Sequence, residues 1–462
     1  MLKFTDIKQV YFLGIGGIGM SALARYFASH GIAVSGYDRT PTPLTAQLEH
    51  EGIAVHYTDN PALLPAKMYI SNSLIVYTPA VPANHQELNA LIDRGFNIHK
   101  RAEVLGIICN SRRTIAVAGT HGKTSVSTMV AHILKSSDIG CSAFLGGISK
   151  NYQTNLLLDS TGSEWIVAEA DEFDRSFLQL KPELAVITSM DADHLDIYGS
   201  HEKVIESFNL FASQIKEGGS LVLKKGLPID SDPETGYKSY TYSITEQADF
   251  CAENIELKDG YYQFDLKTPE ISIEKLVLNY PGLLNVENSV AASALAILSG
   301  VAPEFIREAL ASYSGVNRRF DVHLKNKNFV LIDDYAHHPE ELRATIQSVR
   351  AIYKDRTITG VFQPHLFSRT NDFAEGFARS LDLLDEIVLL DIYPARELPM
   401  EGVSSELIFR QIKNKNKVMC TKAELPALAG KFKPGIVIMM GAGDIDTLVE
   451  PVKEELLKYE DR

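Results

Sequence analysis

The sequence predicts an α/β protein of three domains, and three observations support this fold class. A length of 462 residues is enough for about three domains. Short apolar segments typical of buried strands alternate with amphipathic, helix-like segments along most of the chain. Two of these strands run into glycine-rich turns at residues 14–19 and 119–124, each followed by a helical pattern. We expect domains at residues 1–108, 109–316 and 317–462.

The first unit has the pattern of a Rossmann-like domain. A strand at residues 9–13 leads into Gly-Ile-Gly-Gly-Ile-Gly, and a second strand at 32–37 ends in an acidic residue. Glycines allow close approach of an anion, the helix N-terminus favours a diphosphate, and the acidic residue suits a sugar hydroxyl. The pattern fits NAD, a nucleotide sugar or an empty Rossmann-like crevice. The candidate ligands are Gly16, Gly17, Ile18, Gly19 and Asp38.

The second glycine turn predicts a phosphate loop. A strand at residues 114–118 precedes it, and apolar residues at helical spacing follow it. Lys123 would add positive charge at the terminal phosphates, and Thr124 would offer a hydroxyl to magnesium. The loop is two residues shorter than the common form, and a helix start that only needs a tight turn is the alternative. Its residues are Gly119, Thr120, His121, Gly122, Lys123 and Thr124.

Acidic residues follow the next two predicted strands, at residues 165–168 and 184–187. Glu169 begins the first acidic run, and His194 lies in the second. Because parallel strands end at one edge of a sheet, both runs should lie beside the phosphate loop, where carboxylates suit magnesium. A solvated acidic loop is the alternative for the runs, and a polar surface position is the alternative for His194.

The remaining chain predicts an antiparallel insert and a third α/β unit. Residues 220–278 contain short alternating segments. A helix then carries Asn285 and Asn288, whose amides could read a base edge or cap the helix. The third unit has strands at 329–332, 357–362, 386–390 and 435–440, again in a Rossmann-like, alternating pattern. Polar clusters at the ends of these strands include His337, His365 and Arg369.

Composition limits the possible partners. The net charge of −14 disfavours nucleic acid and anionic membranes. Four separated cysteines without a Cys-x-x-Cys pair argue against zinc and disulfides. No apolar stretch has the length of a membrane span, so we expect a cytoplasmic protein. The motifs favour an enzyme that uses ATP on a nucleotide-linked substrate, and a kinase or an ATP-switched binding module remains an alternative.

Several motifs together identify a family resemblance. They are Gly-Ile-Gly-Gly-Ile-Gly-Met at 14–20, Gly-Thr-His-Gly-Lys-Thr at 119–124, Glu-Ala-Asp-Glu at 169–172, Asp-His-Leu-Asp at 193–196, Asn-Arg-Arg-Phe-Asp at 317–321, Asp-Asp-Tyr-Ala-His-His-Pro at 333–339, Phe-Gln-Pro-His at 362–365, Ser-Arg-Thr at 368–370 and Gly-Ala-Gly-Asp-Ile at 441–445. In this order they resemble the Mur ligase family, from about residue 9 to residue 446.

The resemblance implies a reaction and its substrates. ATP would phosphorylate the lactyl carboxylate of UDP-N-acetylmuramate, and the amine of L-alanine would then attack the acyl phosphate. It implies ATP and Mg²⁺ as cofactors, and we expect a monomer or a weak homodimer. The recycling ligase of the family, which attaches a tripeptide, and a catalytically silent nucleotide-binding regulator are the alternatives.

The resemblance also implies roles for individual residues. Lys123, Glu169 and His194 would be catalytic, and Thr124, Glu169 and His194 would hold magnesium. Residues 119–124 would bind the ATP phosphates, Asn285 and Asn288 the adenine, and Arg319 and Asp334 the ATP ribose and phosphates. Residues 16–19 and Asp38 would bind the UDP moiety, and His337, His365 and Arg369 the amino acid. The sequence departs from the family pattern at Phe173, Leu284 and Leu366.

Overall fold

The computed structural model describes residues 6–193, 195–229, 236–258, 260–395 and 397–461, so His194 lies outside the described residues. Three sheets with flanking helices form the molecule, which confirms the predicted α/β class. Two compact units contain these sheets. The first unit holds the described residues up to Glu253, with Asp265–Leu276 and Asn288–Tyr313. The second holds Asn254–Phe264, Val277–Glu287 and the chain from Ser314 onward.

The first sheet has five parallel strands in the order β3-β2-β1-β4-β5. Its central strand, β1, is buried along most of its length, as its apolar sequence predicts. The elements are β1 (Gln9–Leu13), α1 (Ile18–Ser29), β2 (Ala33–Tyr37), α2 (Pro43–His50), β3 (Ala54–His56), β4 (Ser73–Tyr77), α3 (Gln86–Asp93), β5 (Ile98–Lys100) and α4 (Arg101–Asn110).

The second sheet has ten strands in the order β15-β14-β13-β12-β11-β10-β6-β9-β7-β8. The pairs around its centre are parallel, and β8 pairs antiparallel with β7. The elements are β6 (Arg113–Ala118), α5 (Lys123–Lys135), β7 (Ser142–Ser149), β8 (Thr154–Leu157), β9 (Trp165–Ala170), β10 (Leu184–Ile187), α6 (Leu195–Tyr198), α7 (His201–Ala212), β11 (Ser220–Lys224), β12 (Lys238–Ser243), β13 (Phe250–Lys258), β14 (Tyr261–Lys267), β15 (Ser272–Leu278), α8 (Leu283–Leu298) and α9 (Pro303–Ser312). A 3-10 helix, Phe173–Gln179, follows β9.

The segment predicted as an antiparallel insert begins differently. Strands β11 and β12 pair in parallel with their neighbours and so extend the central sheet. The consecutive apolar residues of β11 are all buried, which is typical of a parallel strand covered on both faces. Strand β14 shows the expected alternation, with Tyr262, Phe264 and Leu266 buried. Its neighbours β13 and β15 complete this end of the sheet.

The third sheet has six strands in the order β16-β17-β21-β18-β19-β20. Only the edge pair of β16 and β17 is antiparallel among the pairs of this sheet in the described chain. The elements are β16 (Asp321–Lys325), β17 (Phe329–Asp334), α10 (Pro339–Ile352), β18 (Ile358–Phe362), α11 (Phe367–Leu381), β19 (Glu386–Leu389), α12 (Glu406–Phe409), β20 (Lys417–Met419), α13 (Leu425–Ala429), β21 (Gly435–Met440) and α14 (Val449–Leu457).

Within the first unit, helix α1 packs against the second sheet as well as the first. The ring of Tyr26 lies 5.4 Å from that of Phe144 on β7. The buried amide of Asn155 on β8 donates to the backbone oxygen of Ile18 at 2.5 Å and to Ser21 at 2.9 Å, and it accepts a hydrogen bond from Arg25. These contacts fix the helix that follows the first glycine loop against the second sheet.

No helix in the described part of the chain has the length and apolar character needed to cross a membrane.

We expect Asn155→Ala to lower the free energy of unfolding by about 2–3 kcal/mol, because it leaves buried partners of the amide without a hydrogen bond. Urea unfolding followed by circular dichroism measures the change. Asn89→Ala, which removes an exposed amide that donates to Ala83, is the matched control and should have little effect. Equal midpoints for the two variants would contradict the prediction.

Candidate active site

The first glycine loop connects β1 to α1 at the carboxyl edge of the first sheet. Gly14 has a φ of +86°, a conformation that favours glycine. The backbone N–H of Gly16 donates to the carboxylate of Asp38 at 2.7 Å. A Cβ on Gly16 would lie only 2.8 Å from that carboxylate oxygen. The structure thus brings Asp38 to the loop formed by residues 14–19, and its role toward a nucleoside stays a prediction.

The second glycine loop connects β6 to α5, and the end of β10 supports it. Gly119 has a φ of +135°, and a Cβ there would lie 2.1 Å from Oγ1 of Thr188. The N–H of His121 donates to Oγ of Ser189 at 2.7 Å. The hydroxyls of Thr120 and Ser189 are 2.8 Å apart. The loop conformation therefore depends on two hydroxyl residues to which the sequence assigned no role.

Lys123 is the first residue of α5, and its ammonium contacts the acidic run after β9. Nζ donates to Oε2 of Glu172 at 2.7 Å and to the backbone oxygen of Gly119 at 2.7 Å. Burial acts to lower the pKa of Lys123, but the charge of Glu172 and of two further carboxylates outweighs burial and raises it. The Lys123 side chain is therefore positively charged beside the loop.

A cavity of about 230 Å³ lies between the first glycine loop and the end of β9. Its lining includes Gly17, Ile18, Gly19, Thr78, Arg101, Phe144, Gly146, Glu169 and Asp171. Arg101 is the first residue of α4, and its Nη2 lies 3.5 Å from Oδ2 of Asp171. A Cβ on Gly19 would lie 2.8 Å from Nη1 of Arg101. The guanidinium thus lies over the glycine loop. Three of the four predicted diphosphate residues, Gly17, Ile18 and Gly19, line the same cavity as Glu169.

The position of the Glu169 carboxylate, at the end of β9, depends on the close approach of β7. A Cβ on Gly146 would lie 2.1 Å from Oε2 of Glu169. Thr124, the second residue of α5, is buried. A carboxylate and a hydroxyl are hard oxygen donors of the kind that Mg²⁺ prefers, and the space left by Gly146 accommodates that carboxylate. These two residues therefore fit the predicted ion.

The third predicted ligand, His194, cannot be placed, because it lies outside the described residues. Within those residues, no three His, Cys, Asp or Glu side chains form a metal-ligating group. Of the predicted magnesium ligands in the described chain, only Glu169 is one of these four residue types, because Thr124 is a threonine. The metal assignment therefore stays a prediction.

The two asparagines of α8 have different surroundings. The amide of Asn285 donates to the backbone oxygen of Pro281 at 2.6 Å, which is a contact with the start of its own helix. Asn288 lies at the phosphate loop, since a Cβ on Gly122 would be 3.0 Å from its Oδ1. Gly122 has a φ of +83° and precedes α5.

In the second compact unit, Asp334 and Arg319 meet at the end of β17. The buried carboxylate of Asp334 accepts hydrogen bonds from the N–H groups of Phe320 and Ala336, each at 2.8 Å. Burial raises the pKa of Asp334, and the positive charge of Arg319 opposes that shift. The guanidinium of Arg319 lies 4.8 Å from the ring centroid of Tyr335.

The residues predicted to bind the amino-acid substrate lie in the same unit. The rings of His337 and His365 are 6.0 Å apart, and His365 stacks on Tyr393 at 5.8 Å. Nδ1 of His337 is 3.1 Å from a carboxylate oxygen of Glu341. Arg369 is buried in the first turn of α11, four residues after His365. The structure thus brings the two histidines together beside an aromatic ring that the sequence did not assign.

The start of α11 is held by a polar loop after β19, and the sequence did not predict the contact between this loop and the helix. Leu366 has a φ of +69°, and its N–H donates to the backbone oxygen of Tyr393 at 3.0 Å. The N–H of Ser368 donates to Oε2 of Glu397 at 3.0 Å, and the Ser368 hydroxyl donates to the other oxygen of that carboxylate. Glu397 followed a strand in the sequence, but nothing there linked it to the helix that carries Arg369.

Three family models match the chain. The Mur ligase family catalytic domain matches residues 9–113, the Mur ligase middle domain matches residues 117–296, and the Mur ligase glutamate ligase domain matches residues 318–443. The chain belongs to the Mur ligase family.

A curated relative within this family matches along almost the whole chain. The UDP-N-acetylmuramate–L-alanine ligase of Parabacteroides distasonis is 54% identical over 458 residues, which cover 99% of each chain.

Two solved structures are similar to this chain as well. The UDP-N-acetylmuramate–alanine ligase of Thermotoga maritima is 26% identical with a TM-score of 0.81, covering 98% of this chain and 99% of that one. A murein peptide ligase from Psychrobacter arcticus is 22% identical with a TM-score of 0.70, covering 97% and 98%. The second likeness shows the shared fold alone.

We expect Gly146→Ala to raise the Mg²⁺ concentration needed for half-maximal activity about ten-fold, because the added methyl group displaces the Glu169 carboxylate. A titration of ADP formation with Mg²⁺ at saturating ATP measures the effect. High Mg²⁺ should restore most of the rate, which separates a shifted ligand from a misfolded protein. An unchanged Mg²⁺ dependence would show that Glu169 does not contact the ion.

Proposed function

We propose that this Mur ligase joins L-alanine to the lactyl carboxylate of UDP-N-acetylmuramate at the expense of ATP. The observation that carries the proposal is the cavity shared by the first glycine loop, Arg101 and Glu169. A sugar nucleotide whose diphosphate lies on the glycine loop can extend its acidic end toward the phosphate loop there. The high identity to a relative of this name along the whole chain supports the choice of substrates.

The proposed reaction has two steps. A carboxylate oxygen of the lactyl group attacks the γ-phosphorus of ATP, the bond from that phosphorus to the bridging oxygen breaks, and ADP leaves. The amine of L-alanine then attacks the carbonyl carbon of the acyl phosphate. The amide forms as inorganic phosphate leaves, and the nitrogen loses a proton. Activation is needed because a free carboxylate has no good leaving group.

The first unit supplies the proposed phosphate-transfer groups. Residues 16–19 and Arg101 bind the diphosphate and the acidic end of the sugar nucleotide, with Asp38 at the nucleoside. Lys123 and the backbone of residues 119–124 bind the ATP phosphates and stabilise the charge that develops during transfer. Thr124, Glu169 and His194 would hold Mg²⁺, which neutralises phosphate charge when bound. Asn288 contributes to the adenine site.

The second unit supplies the proposed amino-acid groups. The guanidinium of Arg369 pairs with the carboxylate of L-alanine, and His337 and His365 lie beside it. Arg319 and Asp334 act toward the ribose and phosphates of ATP, and Asn285 toward the adenine. Tyr393 forms a wall against His365, which limits the space for a side chain.

An amine-dependence assay separates this function from its alternatives. Phosphate release is measured from ATP and UDP-N-acetylmuramate with L-alanine, with a cell-wall tripeptide and with no amine. The proposed ligase releases phosphate in step with L-alanine. Release with the tripeptide alone would identify the recycling activity, and no release with either amine would leave a nucleotide-binding regulator.

We expect Lys123→Ala to reduce ADP formation at least a thousand-fold, because the charge at the transferred phosphate is lost. Binding of UDP-N-acetylmuramate, measured by calorimetry, should stay within about three-fold of the wild type, since Lys123 is not among the residues that line the cavity at the glycine loop. If the folded variant lost both ADP formation and UDP-N-acetylmuramate binding, the two substrates would not have separate binding sites.

We expect Glu397→Ala to raise the KM for L-alanine about ten-fold, because the start of α11 loses the carboxylate that accepts from Ser368. The KM for ATP should stay unchanged. Steady-state kinetics with each substrate varied in turn provide the measurement. Glu375→Ala, an exposed substitution on the same helix, is the control. If Glu397→Ala raised the KM for L-alanine and the KM for ATP equally, Glu397 would have no specific role in amino-acid binding.

A further inference from the structure

The loop after β9 pairs three acidic residues with cations from three positions. Asp171 lies 3.5 Å from Arg101, Glu172 lies 2.7 Å from Lys123, and Asp174 lies 2.8 Å from Lys100. The Glu172 pair differs from the others in its burial: the Glu172 side chain is 1% exposed and that of Lys123 is 14% exposed. The phosphate-loop lysine is therefore part of a largely buried ion pair.

Lys123 has no donor to spare for a phosphate in this arrangement. An ammonium group has three N–H donors. Nζ contacts Oε2 of Glu172 and the backbone oxygens of Gly119 and Thr120, at 2.7, 2.7 and 3.4 Å. A phosphate that takes a donor from Lys123 must therefore displace one of these acceptors or share it.

Glu172 itself is held in place by backbone contacts. The hydroxyl of Tyr198 on α6 donates to its backbone oxygen at 2.6 Å, and the N–H of Arg175 donates to the same oxygen at 2.9 Å. These contacts fix the backbone of Glu172, whereas the flexible four-carbon side chain of Lys123 can carry its ammonium from one acceptor to another. Asp171 is a negative neighbour of Glu172 and adds to the rise of its pKa.

Electrostatic repulsion determines which of the three acceptors of Lys123 a bound phosphate displaces. The γ-phosphate of ATP and the Glu172 carboxylate are both negative and would compete for one cation in a poorly solvated site. Burial raises the pKa of Glu172 to about 7, and Lys123 opposes that shift, so the carboxylate can take up a proton when the lysine leaves and no longer competes with the phosphate. The carbonyl acceptors carry no net charge and impose no comparable repulsion.

We propose that Glu172 is a positioning residue for Lys123: it holds the ammonium in the nucleotide-free enzyme, transfers it to the phosphates of bound ATP and takes it back when ADP leaves. This inference rests on the proposed use of ATP. The inference is based on the contact between Glu172 and Lys123 and on the burial of this pair, and it does not use the family resemblance of the motif at residues 169–172.

Neutralising Glu172 tests the exchange, because tighter nucleotide binding is not expected if Glu172 only supports the structure. We expect Glu172→Gln to bind the non-hydrolysable analogue AMP-PNP with Mg²⁺ about ten-fold more tightly than the wild type, because a competing charge is removed. The KM for ATP and kcat should both fall, since the lysine is no longer recovered from the product. Glu172→Asp, which keeps the charge, should retain the wild-type affinity within about two-fold.

Asp174→Asn is the matched control, because it removes a charge from the same loop whose partner is Lys100. Its AMP-PNP affinity should equal that of the wild type. Equal or weaker binding by folded Glu172→Gln overturns the inference. Failure of the wild type to bind AMP-PNP would instead overturn the proposed use of ATP, so the two failures are distinguishable.

A wild-type crystal structure with AMP-PNP and Mg²⁺ gives a second test that does not depend on the folding of a variant. We expect Nζ of Lys123 to lie beyond hydrogen-bond distance of Glu172 and to contact a phosphate oxygen. An ion pair that stays at its present distance with the analogue bound would overturn the exchange.

Discussion

Compensation of buried charge at the end of β9 is the constraint on which the first unit depends. The Glu172 carboxylate is almost fully buried, and its charge is costly there unless a cation lies close by. Lys123 comes from the phosphate loop, whereas Lys100 and Arg101 come from the junction of β5 and α4. The buried pair of Glu172 and Lys123 therefore stabilises the loop after β9, and the more exposed pairs of Asp171 and Asp174 contribute less.

Close backbone approach is the second requirement of this site. At Gly19, Gly119 and Gly146 a Cβ would lie less than 3.0 Å from Arg101, Thr188 and Glu169 respectively. Only Gly119 of these three has a positive φ, so the other two serve space and not conformation. The absence of a side chain thus sets the position of a guanidinium, of the phosphate loop and of a carboxylate.

The fold was predictable where the pattern is local. Strand β1 and strand β21 have the predicted limits, because short apolar runs bounded by glycine or polar residues are strong signals. Strands β11 and β12 were less predictable, since alternation further along the segment suggested an insert, while parallel pairing depends on distant partners. The glycine loops and Glu169 could be found in the same way, because their spacing next to a strand defines their chemistry.

The sequence by itself determined the three α/β segments of the chain, both glycine loops and the acidic runs, because strand, turn and helix signals depend on neighbours within a few residues. Tertiary structure alone decided that Arg101 covers Gly19, that Gly146 makes room for Glu169 and that Glu172 holds Lys123. These contacts join residues that are 23 to 82 positions apart. Their existence depends on which strands become neighbours and how closely they pack, and no local pattern contains that information.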